Sequence, residues 1–260
     1  MNLFQGALRA ETRKAWSSAM PWAVGGASLL FPLVGSLFMV IVRDPEGAKA
    51  LGLLGTKARL SGLTADWPSF VSLTLQSLAV GFFFLSALFT AWIFGREWSD
   101  GTLKLLLAVP ARRTRVVMAK FLVTGAGGVC TLMVMAGGAL LVGTALSLPG
   151  SSPTILATGG LVFAEVGLLT LTFCPWVAFF AGLGKGFLVP LAWTLFTVAV
   201  ANVTAVLGLG AWFPWSVPAL LAGAGNSASP GPESIFLVLL TGAAGIAATV
   251  LFWKWADHPK

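Results

Sequence analysis

Residues 94–120 read FGREWSDGTLKLLLAVPARRTRVVMAK, and this stretch decides what kind of protein the chain forms. Six of the sixteen Lys and Arg residues fall within it, and long apolar runs flank it on both sides. It therefore lies at a membrane surface. Arg96, Glu97, Trp98, Ser99 and Asp100 carry the preceding run out of the bilayer. Asp100-Gly101 marks a break, and Gly101-Thr102 can start a new short helix. Leu103, Leu106 and Leu107 follow at i, i+3, i+4 spacing, on one helical face. Val109-Pro110 ends that helix, because a residue before proline avoids the helical region. Arg112, Arg113 and Arg115 then lead into the next apolar run. The pattern describes a short helix with an apolar face held between two membrane helices. By pattern alone it reads either as a docking surface or as an ordinary positively charged loop.

Composition points the same way. The chain is 57% hydrophobic and 10% charged, with a mean hydropathy of +0.90. Soluble domains carry about 25% charged residues. The 260 residues are better divided into spans of ~20 residues, each crossing ~30 Å of hydrocarbon. The 31 glycines suit helices packed through small residues. A net charge of +7 invites a nucleic-acid reading. The basic residues instead stand at the ends of apolar runs, which argues against it.

An all-α integral membrane fold follows, with six transmembrane helices in a single domain. Residues 2–17 form an N-terminal interfacial helix or, failing that, a frayed polar leader. Its moment is impure, because Glu11 and Lys14 intrude on the apolar side. No cleavable apolar leader precedes the first span, which is expected to be retained. The spans are expected at about 21–42, 69–94, 116–146, 154–183, 187–209 and 234–253. The short helix falls at 97–110. A Pro- and Trp-rich segment before the last span is too short and broken to cross, and reads as re-entrant or interfacial.

Counting Lys and Arg orients the chain. With both termini inside, twelve are cytoplasmic, Lys120 among them; Arg43, Lys49, Lys57 and Arg59 lie outside. Trp16, Trp22, Trp67, Trp98, Trp212, Trp215, Trp253 and Trp255 fall near span ends, as an aromatic belt requires.

Nothing in the chain reads as a catalytic centre. GLGKG (182–186) lacks the glycine spacing and the Ser or Thr of a phosphate-binding loop, so no nucleotide-binding site is expected. The single histidine, His258, cannot build a metal cluster or a triad. Cys130 and Cys174 lie in apolar runs without metal-ligand spacing. Glu165 is the only acid well inside a span, where an ionisable group defaults to a functional reading. It faces a substrate path or a subunit interface, or is satisfied by hydroxyls such as Thr170 or Thr197. Asn202, in the fifth span, reads as a helix-packing group or part of the same path.

The opening stretch also resembles a known family. Glu97, Gly101, Thr102, Leu103, Leu106, Leu107, Pro110, Arg113 and Lys120 match the pattern E-x-x-x-G-T-L-x-x-L-L-x-x-P-x-x-R, with a Lys seven residues on. It is similar to the signature between the second and third helices of ABC type-2 (ABC-2) exporter permeases. FGREWSDGTLKLLLAVP is nearest the branch of bacitracin and lantibiotic resistance permeases. The Glu11–Lys14 pair of the N-terminal helix and the six-span layout agree more loosely. Trp98 departs from the Tyr or Phe expected after the Glu, and the external loop 43–68 is unusually long.

The resemblance implies that 97–110 is a coupling helix seated on a separate ATPase subunit. Glu97, Gly101, Thr102, Leu103, Leu106, Leu107, Pro110 and Arg113 would form the coupling site. The chain itself would hold no cofactor; ATP and Mg would bind the partner ATPase. Two ABC ATPase subunits, a second permease chain (same or related) and membrane lipid are the implied partners. The implied location is a bacterial or archaeal cytoplasmic membrane. The cargo would be a hydrophobic or amphipathic compound such as a peptide antibiotic, a drug or a lipid-like molecule. Two other classes compete: an ion-coupled secondary transporter using Glu165, and a non-transporting scaffold or membrane-enzyme subunit.

Overall fold

The computed structural model describes residues 3–50, 52, 63–101, 113–224 and 230–255. Among these residues the regular structure is helical, and six helices are long and apolar enough to cross a membrane: Met20–Arg43, Trp67–Ser99, Arg113–Ala145, Pro153–Leu183, Leu188–Val206 and Pro232–Trp255. Helix α1 (Leu3–Trp16) precedes them. The second and fourth spans form the centre, and the others are arranged around them with broad apolar faces outward.

Three of the six spans are interrupted. The first divides into α2 (Met20–Ser28) and α3 (Leu30–Arg43). Pro32 is the cause: its ring displaces the carbonyl four residues back, and it offers no N–H. A short helix, α4 (Pro45–Ala50), follows. The second span runs as α5 (Trp67–Ser77), a π turn (Leu78–Phe82) and α6 (Phe83–Ser99). The π turn is buried apart from Val80, and Gly81 within it gives room to the Phe31 ring. The third span is one helix of 33 residues, α7 (Arg113–Ala145). At 1.5 Å per residue it is about 50 Å long, well beyond ~30 Å of hydrocarbon, so one end projects. The fourth span, expected to be continuous, breaks between α8 (Pro153–Leu171) and α9 (Cys174–Leu183). Here the cause is Pro175.

Capping explains where two spans begin. The Asp66 carboxylate accepts from the Ser69 N–H, and the Ser152 hydroxyl accepts from the Ile155 N–H, with a proline in the first turn of each helix. The Trp67 N–H donates to the Pro149 carbonyl, tying the start of the second span to the turn that leads into the fourth. The fifth span is α10 (Leu188–Val206). Residues 210–221 then form two single 3-10 turns and α11 (Val217–Leu221), too short to cross. Ser216 donates from its hydroxyl towards the Phe213 carbonyl at 2.7 Å and holds this segment folded.

The last span, α12 (Pro232–Trp255), clasps the break in the fourth. A Cβ on Gly242 would lie 2.9 Å from the Thr172 carbonyl oxygen, and one on Gly245 would lie 2.9 Å from the Trp176 ring. That closeness lets the Thr249 hydroxyl reach the Pro175 carbonyl at 2.9 Å and the Trp176 Nε1–H donate to the Thr241 carbonyl at 2.9 Å. Two of the belt tryptophans depart from expectation. Trp67 and Trp253 are 4% and 1% exposed and belong to the core, whereas Trp16, Trp22, Trp212 and Trp255 are open.

Replacing Gly242 by Val should destabilise the purified chain by about 1–3 kcal/mol through overpacking. A thermal unfolding scan in detergent will show a clear fall in the midpoint, and Gly25→Val, at a position with open space around its Cα, will show much less.

Candidate coupling site

The site is built where α1 lies across the end of the second span and the start of the third. Phe89, Ile93 and Phe94 from α6, Val117 and Val123 from α7, and Ala15 from α1 form one buried cluster with Trp253. Leu8 of α1 packs against it. Apolar contact therefore brings α1 in, with Thr12, Arg13 and Trp16 left on its outer side.

Four charged side chains close this junction. The Lys120 Nζ lies 3.1 Å from Glu11 Oε2 and 3.0 Å from Glu97 Oε1, and donates to the Ile93 carbonyl at 2.8 Å. Two hydrogen bonds, to Glu11 and to the Ile93 carbonyl, and an ion pair with Glu97 thus hold the ammonium group. Lys14 completes a ring, with its Nζ 2.8 Å from Glu11 Oε1 and 3.2 Å from Glu97 Oε1. Glu11, Glu97 and Lys120 are 4%, 2% and 1% exposed. Two carboxylates and two ammonium groups sum to zero charge, which is what allows burial.

Burial pushes the Glu11 carboxyl up, but the Lys120 charge and the Lys14 contact outweigh it and hold the group below its ordinary value. Burial likewise lowers Lys14, yet its hydrogen bond to Glu11 and the two carboxylate charges raise it on balance. The signs agree. Glu11 contributes stability above the ordinary carboxylate range and loses it as the pH falls. Lys14 contributes below the ordinary lysine range and loses it as the pH rises past its raised value.

The structure distributes the sequence-predicted site residues unequally. Glu97, expected on the docking surface, is buried in the ring; its second oxygen has no partner among the described residues. Gly101 follows the last turn of α6 with φ +66, a left-handed conformation that glycine adopts without strain. Arg113 is exposed at the first residue of α7. Thr102, Leu103, Leu106, Leu107 and Pro110, with most of the expected helix at 97–110, lie outside the described residues.

Glu165 is exposed on the outer face of α8, away from this junction. The hydroxyls expected to satisfy it are engaged elsewhere. Thr170 donates to the Val166 carbonyl at 2.7 Å and Thr197 to the Thr194 carbonyl at 3.0 Å. Asn202 is exposed on α10, and its Nδ2 donates to the Val198 carbonyl of its own helix. Lys120, counted among the surface charges by sequence, is a core residue. The signal that could have linked it to Glu11 was present: the charged residues that spoil the apolar face of α1 are the ones that meet Lys120 and Glu97.

A chain with six helices long and apolar enough to cross a membrane among its described residues is a multi-pass membrane protein. The model of the ABC-2 family transporter proteins matches residues 7–201, so the chain belongs to that family. It is also similar to the bacitracin transport permease protein BCRB of Bacillus licheniformis, with 26% identity over 174 residues, covering 66% of this chain and 84% of that protein. No solved structure matches.

Lys120→Met should destabilise the chain by about 3–5 kcal/mol, because two buried carboxylates lose their one buried counter-charge and keep only the partly exposed Lys14. Thermal unfolding will register the loss, and adding Glu11→Gln and Glu97→Gln to the same chain will recover part of it. Acidification below the carboxylate range should loosen α1. A spin label on Arg9→Cys in a Cys130→Ala chain will become more mobile there than at neutral pH.

Proposed function

We propose that the chain is the membrane-embedded permease of an ATP-driven exporter, with a separate ATPase subunit docked on residues 97–113. The observation that carries this reading is the buried ring. It pins Glu97, at the end of the second span, and Lys120, near the start of the third, to the same α1 helix. The segment between them is thus anchored at both ends to rigid structure. A push on Leu103, Leu106 and Leu107 would be passed to both spans at once. The family and the bacitracin permease relative support export as the activity.

Two ATPase subunits, holding ATP and Mg, and a second permease chain complete the assembly in this proposal. It sits in a bacterial or archaeal cytoplasmic membrane, with both termini on the cytoplasmic side. Glu165 supports the presence of a second chain or of a polar path. A carboxylate on a lipid-facing surface costs several kcal/mol, and a partner or water relieves that cost. The cargo is a hydrophobic or amphipathic compound of the peptide-antibiotic, drug or lipid-like kind.

A tagged chain should co-purify with an ATPase subunit from its native membrane. Leu106→Asp should abolish that association and ATP-dependent efflux while leaving the chain inserted at its normal level. Efflux that ignores ATP depletion but collapses with the proton gradient, and with Glu165→Gln, would establish ion-coupled transport instead.

A further inference from the structure

At the end of the bundle opposite the ion ring, the second, third and fourth spans part to leave a groove. It is a cavity of about 370 Å³ bounded by α5, α7 and α8. Its wall is hydrocarbon almost throughout. Thr74 is the one hydroxyl-bearing residue on it, and that hydroxyl already donates to the Phe70 carbonyl at 2.8 Å. The groove therefore offers nothing to a polar solute and asks for an apolar chain.

Paired glycines shape it. A Cβ on Gly159 would lie 2.8 Å from a Val71 methyl, so this glycine brings α5 and α8 into contact and closes the back of the groove. A Cβ on Gly160 would meet nothing within 4 Å, because this glycine faces the opening. Along α8 the lining extends from Leu156 to Leu168. That is about 18 Å at 1.5 Å per residue, close to the depth of one hydrocarbon leaflet, half of ~30 Å.

The outer end of the groove has a charge to match a headgroup. Trp67 closes that end and packs with Met39 of α3 in one buried cluster. Arg43 stands one helical turn beyond Met39, exposed, its Nη1 at 3.5 Å from the Leu146 carbonyl at the end of the third span. Lys49, the other described cation at this end, is paired with Glu46 at 2.8 Å. Arg43 has no carboxylate partner among the described residues. An apolar slot one leaflet deep, with a guanidinium that has no carboxylate partner among the described residues at the same end of the bundle, matches a chain with an anionic headgroup.

We propose that this groove is a binding site for a resident anionic phospholipid. One acyl chain lies between α5, α7 and α8, and the phosphate lies against Arg43. The site belongs to the leaflet away from the ion ring and is independent of the exported compound.

Native mass spectrometry of the full-length chain tests it, after incubation with dioleoyl phosphatidylglycerol, dioleoyl phosphatidylcholine or oleic acid. The expected result is a single retained phosphatidylglycerol, with at least tenfold lower occupancy for phosphatidylcholine or the free acid. Gly160→Trp should remove that adduct, and Ala136→Phe, which fills the groove from the third span, should do so where the first variant folds poorly. Leu161→Trp, which adds the same bulk to the exposed neighbouring position, should retain it. Arg43→Gln should abolish the preference between the two phospholipids. A graded series of adducts without a dominant single one would overturn the proposal. So would retention of the adduct by both groove-filling variants, or an undiminished headgroup preference in Arg43→Gln.

Discussion

The fold at the coupling end depends on a closed ring of two lysines and two carboxylates, of which Glu11, Glu97 and Lys120 are buried and Lys14 is partly open to solvent. Each of these charges would be costly to bury alone. Together they are tolerated only in one arrangement, with Glu11 and Lys14 from α1, Glu97 from the second span and Lys120 from the third. The apolar cluster around Phe94 and Val117 provides attraction without direction. The ring provides the direction. It fixes the rotation of three helices about their axes, since turning any one of them by a single residue would separate a charge from its partner.

That constraint has a bearing on how force passes through the molecule. The last span grips the broken fourth span through Gly242, Gly245 and Thr249, and the fourth lies against the second at the centre of the bundle. Rigid contacts therefore extend from the ring through the second span into the fourth and sixth. A displacement entering beside Glu97 therefore meets a stiff core.

Much of this was legible in the residues. The apolar runs and their charged ends gave six spans, and the pattern from Glu97 to Lys120 identified the family. The failures have physical causes. Pro32 and Pro175 were visible, but a proline inside an apolar run marks a kink as readily as a helix end, and only packing decides how the chain recovers. The π turn at Leu78–Phe82 has no sequence mark at all, since any residues can adopt it when the surroundings hold them. Lys120 looked like one more positive residue beside a membrane because charge counting treats each residue singly. Its burial depends on a partner more than one hundred residues away. The hydroxyl partner offered for Glu165 misled in the opposite sense: Thr170 lies in the same span, yet a mid-helix threonine bonds most readily to its own helix.

The π turn reaches further than its five residues indicate. It adds one residue to a helical turn, so everything after it in the second span is rotated by about 100° from where a regular α-helix would place it. Glu97 is nineteen residues after Leu78 and inherits that rotation in full. Were the turn to relax into α-helix, the carboxylate would swing to another side of the span and leave Lys120 behind. The lock at one membrane face is thus set by a defect near the middle of the bilayer, and the two halves of the span form a crank with the bulge as its bend.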